Sequence, residues 1–414
     1  MLSDDSSETR EAYEDHIEAA DKYAERGLYQ KAIEEYDAAL QIQNTETVWT
    51  AVLNAYEKRY AEDTDIYENY LNAARAAFSY FSDNSEYLLK LAELYLVRQE
   101  YESAYKALND ALEQGMDNER VSELLEKVRY SYDTGWKSFT EVRTCVNGFY
   151  AVSESGVWTY IEEDGTNTDF TKLQMAGPVG ESGIRVIRDE DRGQLINTEQ
   201  VVQGILSFDP IDAGIFSEGL VAIADDTGYA YYDSFGDKQF GNYTMAGTFT
   251  DGQAAVQQED TWSIVDKEGD RISEETYEDI ILHADGSHIK DGVMIAKKDG
   301  MYRLYKDGKA TGEYCDADII TEDNMIAVCI EDKWGYVDTE GNELIPPTYA
   351  EAKSFSNGLA AVSDGERWGF IDASGKLVID YTFFGADYFN SMKSCMVVAE
   401  PDGAWQLISL NITE

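Results

Sequence analysis

Apolar residues divide the chain into two parts with different spacing. Between residues 9 and 135 they recur at helical intervals, with abundant Ala, Glu, Leu and Tyr and few prolines or β-branched residues. Between 136 and 414, short apolar runs alternate with turn residues, which is typical of strands joined by tight turns. The pattern predicts an all-α module over residues 9–135 and an all-β repeat domain over residues 136–414.

The spacing within the first module is that of paired helices. The first helical run is broken at Gly27, which we predict to cap a helix. Ala32 and Ala104 are 72 residues apart, which is two periods of about 36, so a middle unit is expected near 49–82. A closing helix over 119–132 would cover the last apolar face.

Small and aromatic residues recur at fixed places in this module. They are Tyr23, Gly27, Tyr29, Ala32, Tyr36 and Ala39 in the first unit, and Leu88, Leu91, Ala92, Tyr95, Tyr101, Ala104, Leu108 and Ala111 in the last. The pattern resembles the tetratricopeptide repeat (TPR), although the middle unit lacks a small residue where the first has Gly27. The resemblance implies a helical solenoid whose concave groove holds a peptide or protein segment.

In the second module a turn residue precedes an aromatic-led strand by ten positions. The pairs are Gly148 and Trp158, Gly219 and Tyr229, Gly252 and Trp262, Gly292 and Tyr302, Asn324 and Trp334, and Gly358 and Trp368. Two further copies keep the interval but lose one landmark, at Gly183 and Gly193 and at Cys395 and Trp405. Successive copies start 32 to 40 residues apart. A fixed interval within a variable period indicates one supersecondary unit copied eight times.

Each copy contains two turns with different chemistry. In the clearest copy, Asp364-Gly365 marks a tight hairpin before the strand led by Trp368. The second turn starts with an acid and ends with glycine three residues later, as at Asp338 and Gly341. The acid can accept hydrogen bonds from turn amides, and glycine supplies the positive φ. A calcium site would need more acidic ligands at another spacing, so we interpret these turns as structural.

Two copies contain a Trp-Gly pair. They are Lys333-Trp334-Gly335-Tyr336-Val337-Asp338 and Arg367-Trp368-Gly369-Phe370-Ile371-Asp372. These copies resemble the WG repeat of bacterial proteins. Other copies depart from the repeat: the glycine is lost after Trp158, Tyr229, Trp262 and Trp405, and the copy at Gly193 also lacks the aromatic residue. The resemblance covers roughly residues 140–410 and implies little about molecular function.

Three or four short strands per copy predict a propeller blade, and eight copy starts predict a seven- or eight-bladed β-propeller. A β-solenoid is the alternative. The segment 139–145 resembles the strand that precedes each copy, whereas the last copy stops after the strand 405–408. An N-terminal strand could therefore complete the last blade, and ring closure would remove exposed sheet edges.

The charge of the chain limits its partners. It carries 81 acidic and 33 basic side chains, a formal net charge of −48. Such a surface repels nucleic acids and anionic membranes, so we expect no nucleic-acid partner. The charge serves either solubility alone or the attraction of basic partners. No run of about 18 apolar residues is present, so no transmembrane segment is expected.

Four cysteines offer two pairings. Cys315 and Cys329 flank the turn 321–324 at equal distance, so they would face each other across a hairpin. Cys145 precedes the first copy and Cys395 opens the last, so ring closure would bring them together. Either two disulfides or buried free thiols would fit these positions, and an oxidising compartment favours the bonds.

Residues with catalytic potential are few. His16 occupies a helix position that packing explains, and His283 and His288 flank the longest connection between copies, where a metal pair is a weak signal. Phosphate-binding glycine loops and nucleophile elbows are missing from the sequence. We therefore predict no catalytic, cofactor-binding or metal residues, and no cofactor.

These observations predict a non-catalytic binding or scaffold protein. Its TPR-like groove would capture a peptide or protein partner, and its propeller would offer a second interaction surface. A carbohydrate-binding or carbohydrate-active propeller, with glycosidase-type activity, is the alternative. Low basic content, abundant Tyr and the cysteine pairs suit a bacterial cell-envelope or secreted protein, with a cytoplasmic protein as the alternative. The start, Met1-Leu2-Ser3-Asp4-Asp5, lacks the basic and apolar regions of a signal peptide.

Overall fold

The computed structural model describes residues 5–168, 172–190 and 192–413. The chain forms two compact units, which divide between Ser131 and Tyr132. The first unit is helical and the second consists of antiparallel sheets.

Helices of the first unit pack one after another, each against the next in the chain. Within the described residues these are α1 (Asp5–Glu25), α2 (Tyr29–Ile42), α3 (Glu46–Tyr60), α4 (Tyr67–Tyr80), α5 (Ser85–Val97), α6 (Tyr101–Glu113) and α7 (Glu119–Arg129), with a 3₁₀ turn at Thr64–Ile66. They form three helix pairs and a closing helix, which is the predicted TPR-like solenoid.

Alanines allow the paired helices to approach closely. Ala32 and Ala104 are fully buried, as their place in the repeat predicts. Gly27 adopts a φ of +70° just after α1, so it ends that helix as expected. The middle pair turns differently, because the side chain of Asp63 accepts a hydrogen bond from the Asp65 amide and starts the 3₁₀ turn. This turn takes the place of the missing glycine.

Strands of the second unit form eight antiparallel sheets in the described part of the chain, which we number as blades 1 to 8. Blade 1 contains β2 (Glu141–Val142), β3 (Phe149–Glu154) and β4 (Val157–Glu162); blade 2 contains β5 (Met175–Ala176), β6 (Arg185–Arg188), β7 (Gly193–Ile196) and β8 (Val202–Ile205); blade 3 contains β9 (Asp212–Ala213), β10 (Val221–Asp225), β11 (Gly228–Tyr232) and β12 (Lys238–Tyr243); blade 4 contains β13 (Met245–Ala246), β14 (Ala254–Gln258) and β15 (Thr261–Val265).

The remaining blades follow the same plan. Blade 5 contains β16 (Asp279–Ile280), β17 (Val293–Lys298), β18 (Met301–Lys306) and β19 (Lys309–Tyr314); blade 6 contains β20 (Asp316–Ala317), β21 (Ile326–Ile330), β22 (Lys333–Val337) and β23 (Glu343–Tyr349); blade 7 contains β24 (Glu351–Ala352), β25 (Leu359–Ser363), β26 (Trp368–Asp372) and β27 (Leu377–Phe383); blade 8 contains β28 (Gly385–Ala386), β29 (Ser394–Val398), β30 (Trp405–Leu410) and β1 (Tyr132–Thr134).

The Trp-Gly pair marks the place where the outer strand of a blade approaches the third strand most closely. A Cβ added at Gly335 would lie 2.6 Å from the main-chain oxygen of Ile345, and one added at Gly369 would lie 2.6 Å from that of Ile379. The strand pairing shifts register at both positions. The glycine of this repeat therefore serves the close approach of two strands.

The apolar core lies between neighbouring blades. An aromatic residue two positions after the repeat's Trp or Tyr packs on a phenylalanine of the next blade. The pairs are Tyr231 with Phe249 (ring centroids 4.9 Å apart), Tyr336 with Phe355 (4.8 Å) and Phe370 with Phe389 (4.9 Å). Each pair meets edge to face, the geometry that aromatic quadrupoles favour. The repeat thus builds interfaces between sheets.

The first strand of this unit closes the ring. Strand β1 pairs antiparallel with β30, so blade 8 is built from both ends of the module. Phe139 is buried with Tyr150 of blade 1 and Met396 of blade 8. The predicted completion of the last blade by an N-terminal strand is correct. The fold is an eight-bladed β-propeller, and the solenoid alternative is wrong.

Removing the Phe139 ring should weaken the closure. We expect Phe139→Ala to lower the free energy of unfolding by about 3–5 kcal/mol, because a large buried ring leaves a cavity between blades 8 and 1. Denaturant titration followed by tryptophan fluorescence measures this change. Trp136→Ala is the matched control, since that ring is 87% exposed and its loss should change stability by about 0.5 kcal/mol or less. Equal effects of the two substitutions would contradict the role of Phe139.

Candidate functional site

Eight loops meet at one end of the propeller. Each connects the short first strand of a blade to the second strand, and we call the surface that they form the mouth. Two cavities open there, of about 440 Å³ and 590 Å³. Both are lined by Asn147 of blade 1 and Asp285 of blade 5, and between them they take residues from all eight loops. Because both cavities open at the mouth, we take the mouth as the candidate site.

Hydrogen bonds tie each mouth loop to the next. A polar side chain of one loop donates to a main-chain oxygen of the following blade. The bonds run from Asn147 to Val179 (2.9 Å), Ser182 to Phe216 (3.4 Å), Ser217 to Phe249 (2.8 Å), Thr321 to Phe355, and Ser356 to Phe389 (2.7 Å). Asn390 of blade 8 donates to the Glu163 oxygen of blade 1 (2.8 Å) and completes the circle. These polar side chains are therefore occupied in holding the ring together.

The fifth loop departs from this pattern. It lies in the longest step between copies, and residues 283–287 form a turn of their own, closed by a hydrogen bond from the His283 amide to the Ser287 oxygen (2.8 Å). The neighbouring blades bind this turn through main-chain groups. The Thr248 amide donates to the Gly286 oxygen (2.7 Å), and the Ile320 amide donates to Nδ1 of His283 (3.1 Å). Because main-chain amides of the neighbouring blades make these links, the polar side chains that hold the ring together in other loops are not needed for this at the fifth loop.

Three buried side chains at or beside this loop have polar atoms without partners among the described residues: Nε2 of His283, Nδ1 of His288 and, in the fourth loop, the hydroxyl of Thr248. Because Nδ1 of His283 accepts a hydrogen bond, its proton lies on Nε2, and Nε2 has no partner among the described residues. The Thr248 hydroxyl is likewise unpartnered. His283 is only 5% exposed and lines the smaller cavity, and Thr248 is only 6% exposed and lines the larger one. Buried polar atoms of this kind usually have a partner.

Both histidines of the fifth loop are buried and neutral near pH 7. Desolvation lowers the pKa of each to about 4. Their side chains do not gather with further ligands: within residues 5–168, 172–190 and 192–413, no group of three or more His, Cys, Asp or Glu side chains is placed to hold a metal ion. The third histidine, His16, binds Glu35 of α2 at 2.7 Å in the helical unit.

The mouth carries a strong negative charge. Glu181, Glu218, Asp251 and Asp285 line the larger cavity, and the smaller one adds Glu163 and Glu322. Lys290 lines the smaller cavity only. Sequence reasoning did not select these acids. Glu218 and Asp251 directly precede the turn glycines of their copies, so the repeat spacing could have identified them.

Charged side chains next to the first strands form pairs that join blades to one another. Arg143 binds Asp212 at 2.6 Å, joining blades 1 and 3. The Tyr388 hydroxyl of blade 8 donates to Asp318 of blade 6 at 2.6 Å. Desolvation raises the pKa of Asp387, whose carboxylate lies 3.8 Å from Lys353. The first two pairs link blades that are not neighbours, and all three are structural.

The first helices of the TPR-like units share one polar face. Lys90 of α5 lies 3.2 Å from Glu57 of α3 and 3.2 Å from Glu93 of its own helix. Arg120 of α7 binds the same Glu93. These bridges place three helices side by side, so their exposed side chains form a continuous surface.

The structure settles the cysteine pairs. Cys315 and Cys329 form a disulfide next to the pairing of β20 with β21, with Cα atoms 5.3 Å apart. Cys145 and Cys395 are free thiols. The Cys395 thiol is fully buried and donates to the Asp387 oxygen within blade 8 (3.0 Å), so the bond that would clasp the two ends of the ring is not formed.

Architecture and repeats together define a class of protein, a TPR-like helical array followed by an eight-bladed propeller. The model of the WG-containing repeat matches residues 334–368 and 368–391. The resemblance to the WG repeat is therefore confirmed over these residues, and the helical unit has the paired-helix arrangement that the TPR resemblance implies. No curated protein sequence matches the chain.

Some solved structures are similar to parts of the chain. Hsv2 of Kluyveromyces lactis is 9% identical over 67% of this chain and 98% of its own, with a TM-score of 0.37. PorZ of Porphyromonas gingivalis, a surface component of the type-IX secretion system, is 10% identical over 65% of this chain, with a TM-score of 0.36, and the chain spans 42% of PorZ. The Sgt2 TPR domain of Aspergillus fumigatus is 18% identical over 28% of this chain and 76% of its own, with a TM-score of 0.24.

Thiol counting tests the cysteine assignment. The unfolded, unreduced protein should take up an alkylating reagent at Cys145 and Cys395 and at neither of the other cysteines, as measured by peptide mass spectrometry. Reduction should open the remaining pair and lower the free energy of unfolding by about 2–4 kcal/mol, because the bridge constrains the unfolded chain. The double variant Cys315→Ser, Cys329→Ser should show no effect of reductant on stability. Labelling of all four cysteines before reduction would contradict the disulfide.

The buried histidines should make the propeller less stable in acid. Their pKa is lowered from 6.5 to about 4 on folding. The unfolded chain therefore binds their protons at higher pH than the folded one. Their contribution to stability is complete above pH 6.5 and is lost as the pH falls from there towards 4, by at most about 1.4 kcal/mol per pH unit for each histidine.

Denaturant midpoints measured between pH 7 and pH 4 test this dependence. The double variant His283→Gln, His288→Gln should show a shallower decline than the unaltered protein. His16→Gln is the control, because His16 lies in the other unit. A decline that is the same in all three proteins would mean that other groups cause it.

Proposed function

We propose that the protein is a non-catalytic binding protein with two interaction surfaces. The helical unit would hold a peptide or protein segment, and the propeller would offer its mouth as a second surface. The observation that supports this proposal best is the continuous polar face of α3, α5 and α7, since helical solenoids of this kind present such a face to extended partners.

The charges on this face suit a protein partner. Lys90 is partly exposed and Arg120 is exposed, and both are bridged by carboxylates, so the face offers both signs of charge in a fixed row. Ionic groups arranged in this way favour specificity and orientation over raw affinity. A partner segment with alternating charge could exchange with these bridges.

Carbohydrate binding has less support. Sugar sites usually offer an exposed aromatic ring, but the rings at the mouth are used in the core. Phe249 and Phe389 are each 1% exposed, and both pack against the preceding blade. We therefore do not develop the carbohydrate alternative.

The Cys315–Cys329 disulfide supports an oxidising location. We propose the cell envelope or the exterior of a bacterium as the site of action. In the described ranges of the chain, no helix is both long enough and apolar enough to cross a membrane.

Capture experiments with the full chain test the proposal. The chain serves as bait in an extract of its source organism, and retained proteins are quantified by mass spectrometry. Lys90→Ala with Arg120→Ala should reduce capture of a partner of the helical face by about tenfold, since both cations of the row are lost. The matched control is Lys31→Ala with Lys106→Ala, which removes two exposed cations from α2 and α6. Equal capture by all three baits would contradict the proposal.

A further inference from the structure

The larger cavity of the mouth is lined by four carboxylates, from Glu181, Glu218, Asp251 and Asp285. No Lys, Arg or His residue lines it among the residues that the structure describes. Its other polar groups include the hydroxyls of Ser217 and Thr250 and the side-chain amide of Asn147. The cavity therefore offers a cluster of acceptors and a field that attracts cations.

A second observation points to a ligand. Thr248 lines this cavity and is 6% exposed, and its hydroxyl has no hydrogen-bond partner among the described residues. The fold does not need that hydroxyl, because the main chain of Thr248 makes the link to blade 5 through Gly286. A buried hydroxyl without a partner is costly unless something else binds it.

The four carboxylates differ in whether they make side-chain hydrogen bonds within the protein. Glu218 binds Lys267 and the Gly252 amide, and Asp285 binds the amide and hydroxyl of Ser287. Glu181 and Asp251, by contrast, make no side-chain hydrogen bond to another described residue. These two can accept bonds from a ligand without loss to the ring.

The geometry suits an extended organic cation. The four carboxylates line a cavity of about 590 Å³, and no three of them are placed to hold one metal ion. Ammonium and guanidinium groups carry several donors on a long stem, which lets them bind separate acceptors.

We propose that the mouth binds a lysine- or arginine-containing segment of a protein partner, with one basic side chain entering the larger cavity beside Thr248. This proposal deepens the function proposed for the propeller and rests on it. Glu181 and Asp251 would bind the charged group, and the hydroxyl of Thr248 would accept one of its hydrogen bonds.

Fluorescence anisotropy of a labelled lysine–glycine peptide with the full chain, at about 150 mM salt, tests this site. Glu181→Gln with Asp251→Asn should weaken binding by about tenfold, because two charge pairs are lost. Thr248→Val should weaken it by about fivefold and should not lower the thermal midpoint, since the hydroxyl has no partner among the described residues of the free protein.

The control is Glu259→Gln with Asp260→Asn. These exposed acids form the turn between β14 and β15, at the end of blade 4 opposite to its mouth loop, and the substitution removes the same charge. The affinity of this control variant for the peptide should stay within about twofold of that of the unaltered protein. Equal weakening by mouth and control variants would show attraction by net charge only and would overturn the proposal.

Two further outcomes are decisive. Spermidine that displaces the peptide at equal concentration would show that the cavity takes free polyamines, which overturns a protein segment as its ligand. Weaker peptide binding by the mouth variant, together with unchanged peptide binding by the helical-face variant Lys90→Ala with Arg120→Ala, supports the site. Because this titration uses no natural partner, its outcome is independent of capture by the helical face.

Discussion

The contact between an aromatic ring of one blade and a phenylalanine of the next holds the propeller together. Phe249, Phe355 and Phe389 each receive two interactions from the preceding blade. Their rings meet Tyr231, Tyr336 or Phe370 edge to face, and their main-chain oxygens accept a side-chain hydrogen bond. One residue thus fixes both the apolar interface and the mouth loop above it. A change at this position would loosen packing and loop together.

Tyrosine hydroxyls extend the same contact. Tyr160, Tyr231 and Tyr336 each donate to a main-chain oxygen just after the first strand of the next blade, at 2.6, 2.8 and 3.0 Å. Burial raises the pKa of all three, so they remain neutral donors. Each hydroxyl satisfies a carbonyl that the blade's own sheet leaves open.

Much of this architecture could be predicted because the repeat is local. The interval from turn to aromatic strand lies within one copy, and the Trp-Gly pair reports a close approach within one sheet. The mouth could not be predicted in the same way. The unpartnered hydroxyl of Thr248 depends on where Gly286 lies in the next blade, and that contact follows from an insertion with no counterpart in other copies.

The cysteines show the same limit. The sequence placed Cys145 and Cys395 on adjoining blades, and both indeed pack near the seam between blades 8 and 1. Bond formation depends on side-chain direction, which the repeat register does not fix. The pairing of Cys315 with Cys329 could be predicted from the sequence, because a single turn separates the two residues.

Closure by β1 has a consequence for the order of folding. The strand at Tyr132–Thr134 finds its partner only at Ile408–Leu410, in the last strand of the propeller to be synthesised. Until then β1 has no partner strand, and the loop to be closed spans nearly the whole module, which makes the contact slow to form. The growing chain therefore carries an open sheet edge through most of its synthesis. Its high negative charge would keep such unfinished rings apart.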